Sequence, residues 1–213
     1  MSEPLVIVGC GGHGREVFGI VQAINEAYGE PWKVLGFVDD AASDTNLARL
    51  ERLGAPFLGV VSQLVEMPEE TRYVIGIGDP RVRAKVASAI GPHRLPAAPL
   101  VHPDATVGPD NRLAEGVVLF PGARVTTDVR LGRHVHLNQN ATVGHDSILD
   151  DYVQVNPLAA ISGDCHIAER VLIGTTAAVL QGLTIGEGAT VGAGACVVRS
   201  VETGLTVKGV PAR

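Results

Sequence analysis

From Val101 to Val197 every sixth residue is Val, Leu or Ile: Val101, Val107, Leu113, Leu119, Val125, Leu131, Leu137, Val143, Leu149, Val155, Ile161, Ile167, Ile173, Val179, Ile185, Val191 and Val197. Two residues before many of these stands a small or apolar side chain, as at Ala105, Ala123, Ala141, Ala159, Val171, Ala177, Ala189 and Ala195. Strand side chains alternate between faces, so positions i−2 and i point inward and i−1 points out. Glycine often follows the aliphatic residue (Gly108, Gly132, Gly144, Gly174, Gly186, Gly192), where the chain turns a corner and a Cβ would be awkward. A period of six with these features is the signature of a parallel β-helix, and the run predicts roughly five coils of three faces each.

Ahead of the repeat the periodicity changes. Leu5-Val6-Ile7-Val8 reads as a buried strand and ends in Gly9-Cys10-Gly11-Gly12-His13-Gly14, after which Val17, Ile20, Val21, Ile24 and Ala27 recur at helical spacing. Further strands are predicted over Val34–Val38, ending in Asp39-Asp40, and over Tyr73–Ile77, followed by a helix over Arg81–Ile90. Strands alternating with helices imply a parallel α/β sheet. Gly91-Pro92-His93-Arg94-Leu95-Pro96 reads as the connector, dividing the chain into 1–96 and 97–213.

Gly9, Gly11 and Gly14 fit the G-x-G-x-x-G fingerprint in its proper place between strand and helix. Such a loop lets backbone approach a phosphate, and the helix N-terminus adds aligned N–H donors. Asp39 or Asp40, at the end of the second strand, suits a ribose hydroxyl. Only about 95 residues precede the repeat, enough for one mononucleotide-binding half and not for a dinucleotide site.

Composition narrows the classes. A net charge of −6 with no basic cluster argues against a nucleic-acid partner. No apolar stretch approaches a membrane span, and Met1 to Gly9 lacks the basic region of a signal peptide. Cys10, Cys165 and Cys196 lack metal-type spacing and read as reduced thiols of a cytoplasmic protein, with Cys165 on the inward register as core filler. No metal is expected.

Taken together, Ile7-Val8-Gly9-Cys10-Gly11-Gly12-His13-Gly14, Gly36-Phe37-Val38-Asp39-Asp40, Leu100-Val101-His102-Pro103, Val143-Gly144-His145-Asp146 and Lys208-Gly209-Val210-Pro211-Ala212-Arg213 resemble the bacterial sugar O-/N-acyltransferases over essentially the whole chain. The resemblance implies a half-Rossmann (βαβαβ) domain followed by a left-handed parallel β-helix, assembled as a homotrimer. It further implies acetyl-CoA as co-substrate in the groove between subunits and a nucleotide-linked amino sugar on the N-terminal domain. His145 matches the general base and Asp146 its acidic partner. Gly163, Gly174, Thr175, Gly192 and Ala193, with Lys208 and Pro211, match the acetyl-CoA site, and Asn138 a residue near the sugar. Gly9, Gly11, Gly12, His13, Gly14, Asp39 and Asp40 fall to the nucleotide. The family commonly has a second histidine nine residues after the base, donating to the thioester carbonyl. This chain has Gln154 there, whose amide can still donate, with His136 as the other candidate.

The register bears on these assignments. Residues eighteen apart stack on one face about 4.8 Å apart, so His136 and Gln154 share an outward column and His145 lies half a coil away. His145 and Gln154 therefore meet only across a subunit boundary. His102 reads as structural, His134 and His166 as surface residues, and Asp128 and Asp164 as solvated corner residues. The leading expectation is N-acetylation of a nucleotide-linked amino sugar by direct attack. The alternatives are O-acetylation of a free sugar such as a sialic acid, a metal-dependent carbonic anhydrase, which needs a three-histidine set that the spacing does not supply, and a non-catalytic trimeric scaffold.

Overall fold

The structure is a computed structural model that describes residues 2–91 and 95–213; Pro92, His93 and Arg94 of the expected connector lie outside the described residues. The chain folds as β1 (Glu3–Val8), α1 (Gly12–Tyr28), β2 (Trp32–Val38), α2 (Asp44–Arg52), β3 (Phe57–Gly59), a 3-10 helix (Val61–Glu66), β4 (Arg72–Ile75) and α3 (Pro80–Ile90), followed by two-residue strands from Leu100–Val101 to Thr206–Val207. The N-terminal strands form one parallel sheet in the order β3-β2-β1-β4. The hydrophobic pattern missed α2 and β3. The segment Asp44–Arg52 is mostly polar and buries only Leu50, so no apolar stripe announces it. It is fixed instead by its cap, the Ser43 hydroxyl accepting from the Asn46 N–H.

Strand alternation divides the core of this sheet in two. Leu5 and Ile7 pack with Val17, Ile20, Val21 and Ile24 of α1. Val6 and Val8 pack with Ala87 and Ile90 of α3. Each cluster also takes in residues of the repeat: Leu100, Val118 and Phe120 on the α1 side, Tyr152 on the α3 side. The N-terminal domain is thus anchored to the repeat twice.

The repeat stacks into three parallel sheets of seven, six and five strands, here called the first face (starting at Leu100–Val101), the second (Thr106–Val107) and the third (Arg112–Leu113). Up to Val197 each strand pairs with the one eighteen residues on, as His136 with Gln154 and Thr142 with Ala160, and the final strand closes the first face with Thr206 beside Thr190. From Leu119 to Val197 every aliphatic residue of the six-residue series is buried in one core with the alanines and Cys165. Each such side chain contributes about 1.5–3 kcal/mol by leaving water. Val107 is exposed because no coil lies beneath it. The corners contain a second series, six apart, with positive φ: Asp110, Asp128, His134, Asn140, Asp146, Tyr152, Leu158, Asp164, Arg170 and Thr176, with glycines at most of the remaining corners. Asp128, Asp146 and Asp164 line up for that reason, since Asp is among the few residues that tolerate this conformation. The glycines that follow the aliphatic residues serve another need. A Cβ on Gly144 would lie 2.5 Å from the Gly163 nitrogen, and one on Gly174 2.6 Å from the Ala193 nitrogen, both in the neighbouring coil. Among the described residues no helix is long and apolar enough to cross a membrane.

Candidate active site

The glycine loop joins β1 to α1 beside the start of α3. Because β1 lies between β2 and β4, the crevice at the carboxyl ends of β1 and β4 is the topological switch point where such sheets bind ligands. Its glycines divide by task. A Cβ on Gly14 would stand 1.8 Å from the Gly9 carbonyl oxygen, and one on Gly76 2.5 Å from the Gly14 Cα, so these glycines let helix and strands approach. Gly9 also has φ +103. Gly11 meets nothing within 4 Å and Gly12 only the Arg15 guanidinium at 3.9 Å. Those two are open to a ligand.

Asp39 and Asp40 first of all tie loops together. Asp39 accepts from the Cys10 and Ala41 N–H groups, each at 2.8 Å, and Asp40 from the Val61 N–H at 2.8 Å. Partial burial works against the Asp39 charge, yet those backbone donors prevail and hold its carboxyl below the ordinary value. Cys10 is buried, and burial together with the Asp39 carboxylate pushes its thiol up to about 12; it is no nucleophile.

His13 leaves the loop toward the repeat. Its Nε2 lies 2.9 Å from Nδ1 of His136, and its ring packs against those of His136 and Phe120 at centroid distances of 5.2 and 5.1 Å. This corrects the reading of the His136–Gln154 column as open surface. The column does point away from the repeat core, but the N-terminal domain covers it: His136 is 0% and Gln154 1% exposed. The Gln154 oxygen accepts from Arg83 at 2.9 Å and its amide donates to the Asn156 oxygen at 3.2 Å. Gln154 is therefore a seam residue, without the access that a donor to the thioester carbonyl needs. Asn138 is also buried in this region, donating to the Asn156 oxygen at 3.2 Å.

Arg83 of α3 was not singled out by sequence, since a single Arg on a helix has no distinguishing pattern. It is fully buried and donates to the carbonyls of Ile77, Gly78, His134, Tyr152 and Val153 as well as to Gln154. No carboxylate pairs with it among the described residues, and burial brings it down to about 9. His134, expected at the surface, is likewise buried, stacked between Tyr73 and Tyr152 at 6.0 and 5.5 Å. Burial, with Arg83 and Arg133 nearby, lowers it to about 4. His166 is exposed and paired with Asp150 at 2.8 Å.

His145 and Asp146 occupy the corner between the second and third faces, opposite the face that carries the N-terminal domain. Nδ1 of His145 lies 2.6 Å from Oδ2 of Asp146, and both side chains are about half exposed at 50% and 55%. That leaves Nε2 directed away from the carboxylate. The ring sits over Gly163 of the next coil, where a Cβ would fall 2.5 Å from Nε2. The other acetyl-CoA candidates lie elsewhere. Gly174 and Thr175, Gly192 and Ala193, and Lys208 follow strands of the first face, at the corner between the first and second faces. Thr175 and Ala193 are exposed there. Pro211, after a cis Val210–Pro211 bond, lies in the terminal turn, which Lys208 and Arg213 close by mutual backbone hydrogen bonds. A single chain thus keeps the His145 corner, the Thr175 corner and the glycine loop apart. Among the described residues no three His, Cys, Asp or Glu side chains gather as a metal site would require.

A glycine-loop α/β domain docked on a hexapeptide-repeat β-helix with a histidine–carboxylate corner defines an acyltransferase architecture. Residues 4–90 match the family model described as the PglD N-terminal domain. The acetyltransferase domain of PglB from Neisseria gonorrhoeae, solved in complex with acetyl coenzyme A, is 32% identical over 100% of this chain and 99% of its own, with a TM-score of 0.88. PerB from Caulobacter crescentus, in complex with CoA and GDP-perosamine, is 33% identical over 99% and 96%, TM-score 0.86. WeeI from Acinetobacter baumannii is 30% identical over 98% of each chain, TM-score 0.85. Comparison with curated protein sequences finds no match. The chain belongs to this family of hexapeptide-repeat sugar acetyltransferases.

Proposed function

We propose that the protein transfers the acetyl group of acetyl-CoA to the amino group of a nucleotide-linked sugar, with His145 as general base, in a homotrimer whose active sites each draw on two chains. The observation that carries this reading is the His145–Asp146 pair on an open corner, its ring seated on Gly163, in a chain similar along its length to PerB, which binds CoA and GDP-perosamine.

The neutral amine attacks the thioester carbonyl carbon, and His145 Nε2 takes its proton. Asp146 orients the ring and stabilises the imidazolium. As the tetrahedral intermediate collapses, the carbon–sulfur bond breaks and the imidazolium returns a proton to the departing CoA thiolate. With Gln154 buried, a further donor comes from Gly163, under the His145 ring, whose N–H has no acceptor among the described residues. In this reading it donates to the developing oxyanion.

Assembly is supported by the second face. The middle of its outward column, Thr142, Ala160 and Ala178 between Arg124 and Cys196, is small enough for close approach. Leu158 at one bordering corner and Leu180 and Val198 at the other are 57%, 45% and 41% exposed. A second copy on this face would cover them and bring a Thr175 corner to a His145 corner. Release of CoA thiol is the test, measured first with no acceptor and then with UDP-, GDP- and dTDP-linked amino sugars. Acceptor-dependent release with one of these is expected; release with free sugars only would overturn the assignment.

A further inference from the structure

We infer that His136 is a positioning residue that holds His13 as a neutral imidazole protonated on Nδ1, so that His13 offers an N–H donor to the nucleotide sugar at the glycine loop. The inference deepens the acetyl-transfer reading and rests on it for the identity of the ligand. Its geometric basis is the 2.9 Å contact between Nε2 of His13 and Nδ1 of His136. A contact that short holds one proton, and the question is which ring owns it.

His136 decides. It is fully buried, and its own Nε2 has no partner. The charged and titratable groups that bear on it are Arg83 of α3, His13 of the glycine loop and His134 of the neighbouring corner. Burial first, and the Arg83 charge after it, hold it well below the ordinary value, so it is neutral and has one N–H. If that N–H were on Nε2, a buried donor would be orphaned beside an arginine that already brings its own N–H groups into the seam. If it is on Nδ1, only a lone pair is orphaned. Orphaned donors are the rarer case in proteins. His136 Nδ1–H therefore donates to His13 Nε2, and the proton of His13 is left on Nδ1.

That nitrogen is on the side of the ligand crevice. It is 3.6 Å from the exposed Glu16 carboxylate, and a Cβ on Gly78, in the loop between β4 and α3, would lie 3.8 Å from it. Gly78 keeps the space beside the nitrogen clear. An N–H there, next to the open Gly11 and Gly12, suits an acceptor oxygen of the bound nucleotide sugar. His13 so held is a donor and not a second base. A sequence with His13 alone would leave the tautomer free; His136 removes that freedom from one coil of the repeat.

The tautomer is read directly from long-range proton–nitrogen correlation spectra of the full-length protein labelled with nitrogen-15 histidine, His13 being assigned from the His13→Asn variant. A protonated Nδ1 and unprotonated Nε2 on His13 at neutral pH is the expected pattern. A protonated Nε2, or an imidazolium, overturns the inference. This readout needs no substrate, so it stands or fails apart from the proposed reaction. In kinetics, His136→Leu should raise KM for the accepted nucleotide sugar about tenfold, the loss of one well-placed hydrogen bond, with kcat and KM for acetyl-CoA nearly unmoved. His136→Asn, whose amide N–H takes the place of Nδ1–H, should recover most of that loss. Unchanged KM in a folded His136→Leu protein, or equal losses in both variants, counts against the positioning role.

Discussion

Gly163 has no Cβ, and the imidazole of His145 takes up that space, with Nε2 2.5 Å from where the methyl would be. Gly163→Ala should therefore displace the base while leaving the coil intact, lowering kcat at least tenfold with little change in melting temperature, in the manner of catalytic groups misplaced by about an ångström. His145→Ala removes the base itself and should lower turnover by about 10²–10⁴ with the assembly preserved, as sizing chromatography would show. At this scale His145 and Asp146 were legible through the family resemblance, and register added only that a corner position two residues after Val143 is committed to no core. Gln154 was misread. Register says which residues leave the core of the repeat but not what another domain lays over them.

The elements meet in a seam held by α3. Arg83 supplies all of its donors to neutral acceptors of the repeat and of the β4–α3 loop, so Arg83→Met would leave several buried acceptors without partners. The cost should be on the order of 3 kcal/mol or more, seen as earlier unfolding or as faster amide exchange in α3. The same seam makes stability depend on pH. His134 is neutral in the fold, lowered to about 4 by burial and by Arg83 and Arg133, against a smaller opposing pull from Asp151. The unfolded chain, with an ordinary histidine near 6.5, binds more protons between these values. Its contribution is complete above about pH 6.5 and is lost as the pH falls toward 4, roughly 3 kcal/mol at about 1.4 per unit. Thermal melts across that range should show a steep acid decline that His134→Asn, which keeps a residue tolerant of positive φ, makes shallower. An equal decline in both proteins would assign it to other groups. None of this was legible beforehand. The buried status of Arg83, His134 and His136 comes from docking two domains, whereas period-six and helical patterns report only how each segment packs on itself. For the same reason α2, polar along nearly its whole length, escaped notice while α1 did not.

In the whole molecule, the repeat and the glycine-loop domain were both legible because each has its own period and its own punctuation. Their consequence for chemistry is spatial. The base is on one corner, Thr175 and Ala193 are on another with the second face between them, and the glycine loop is on the first face, opposite the base, so in this reading one chain does not assemble the proposed site. Chains with His145→Ala and chains with Thr175→Trp, which blocks the other corner, should each be inactive alone. Refolded together in equal amounts, they should regain about a quarter of wild-type turnover, the share of sites that statistical mixing of a cyclic trimer leaves with neither lesion. A mixture as inactive as its parents, with mixed assemblies demonstrated by mass, would mean that each chain holds a complete site, and would contradict the shared active site.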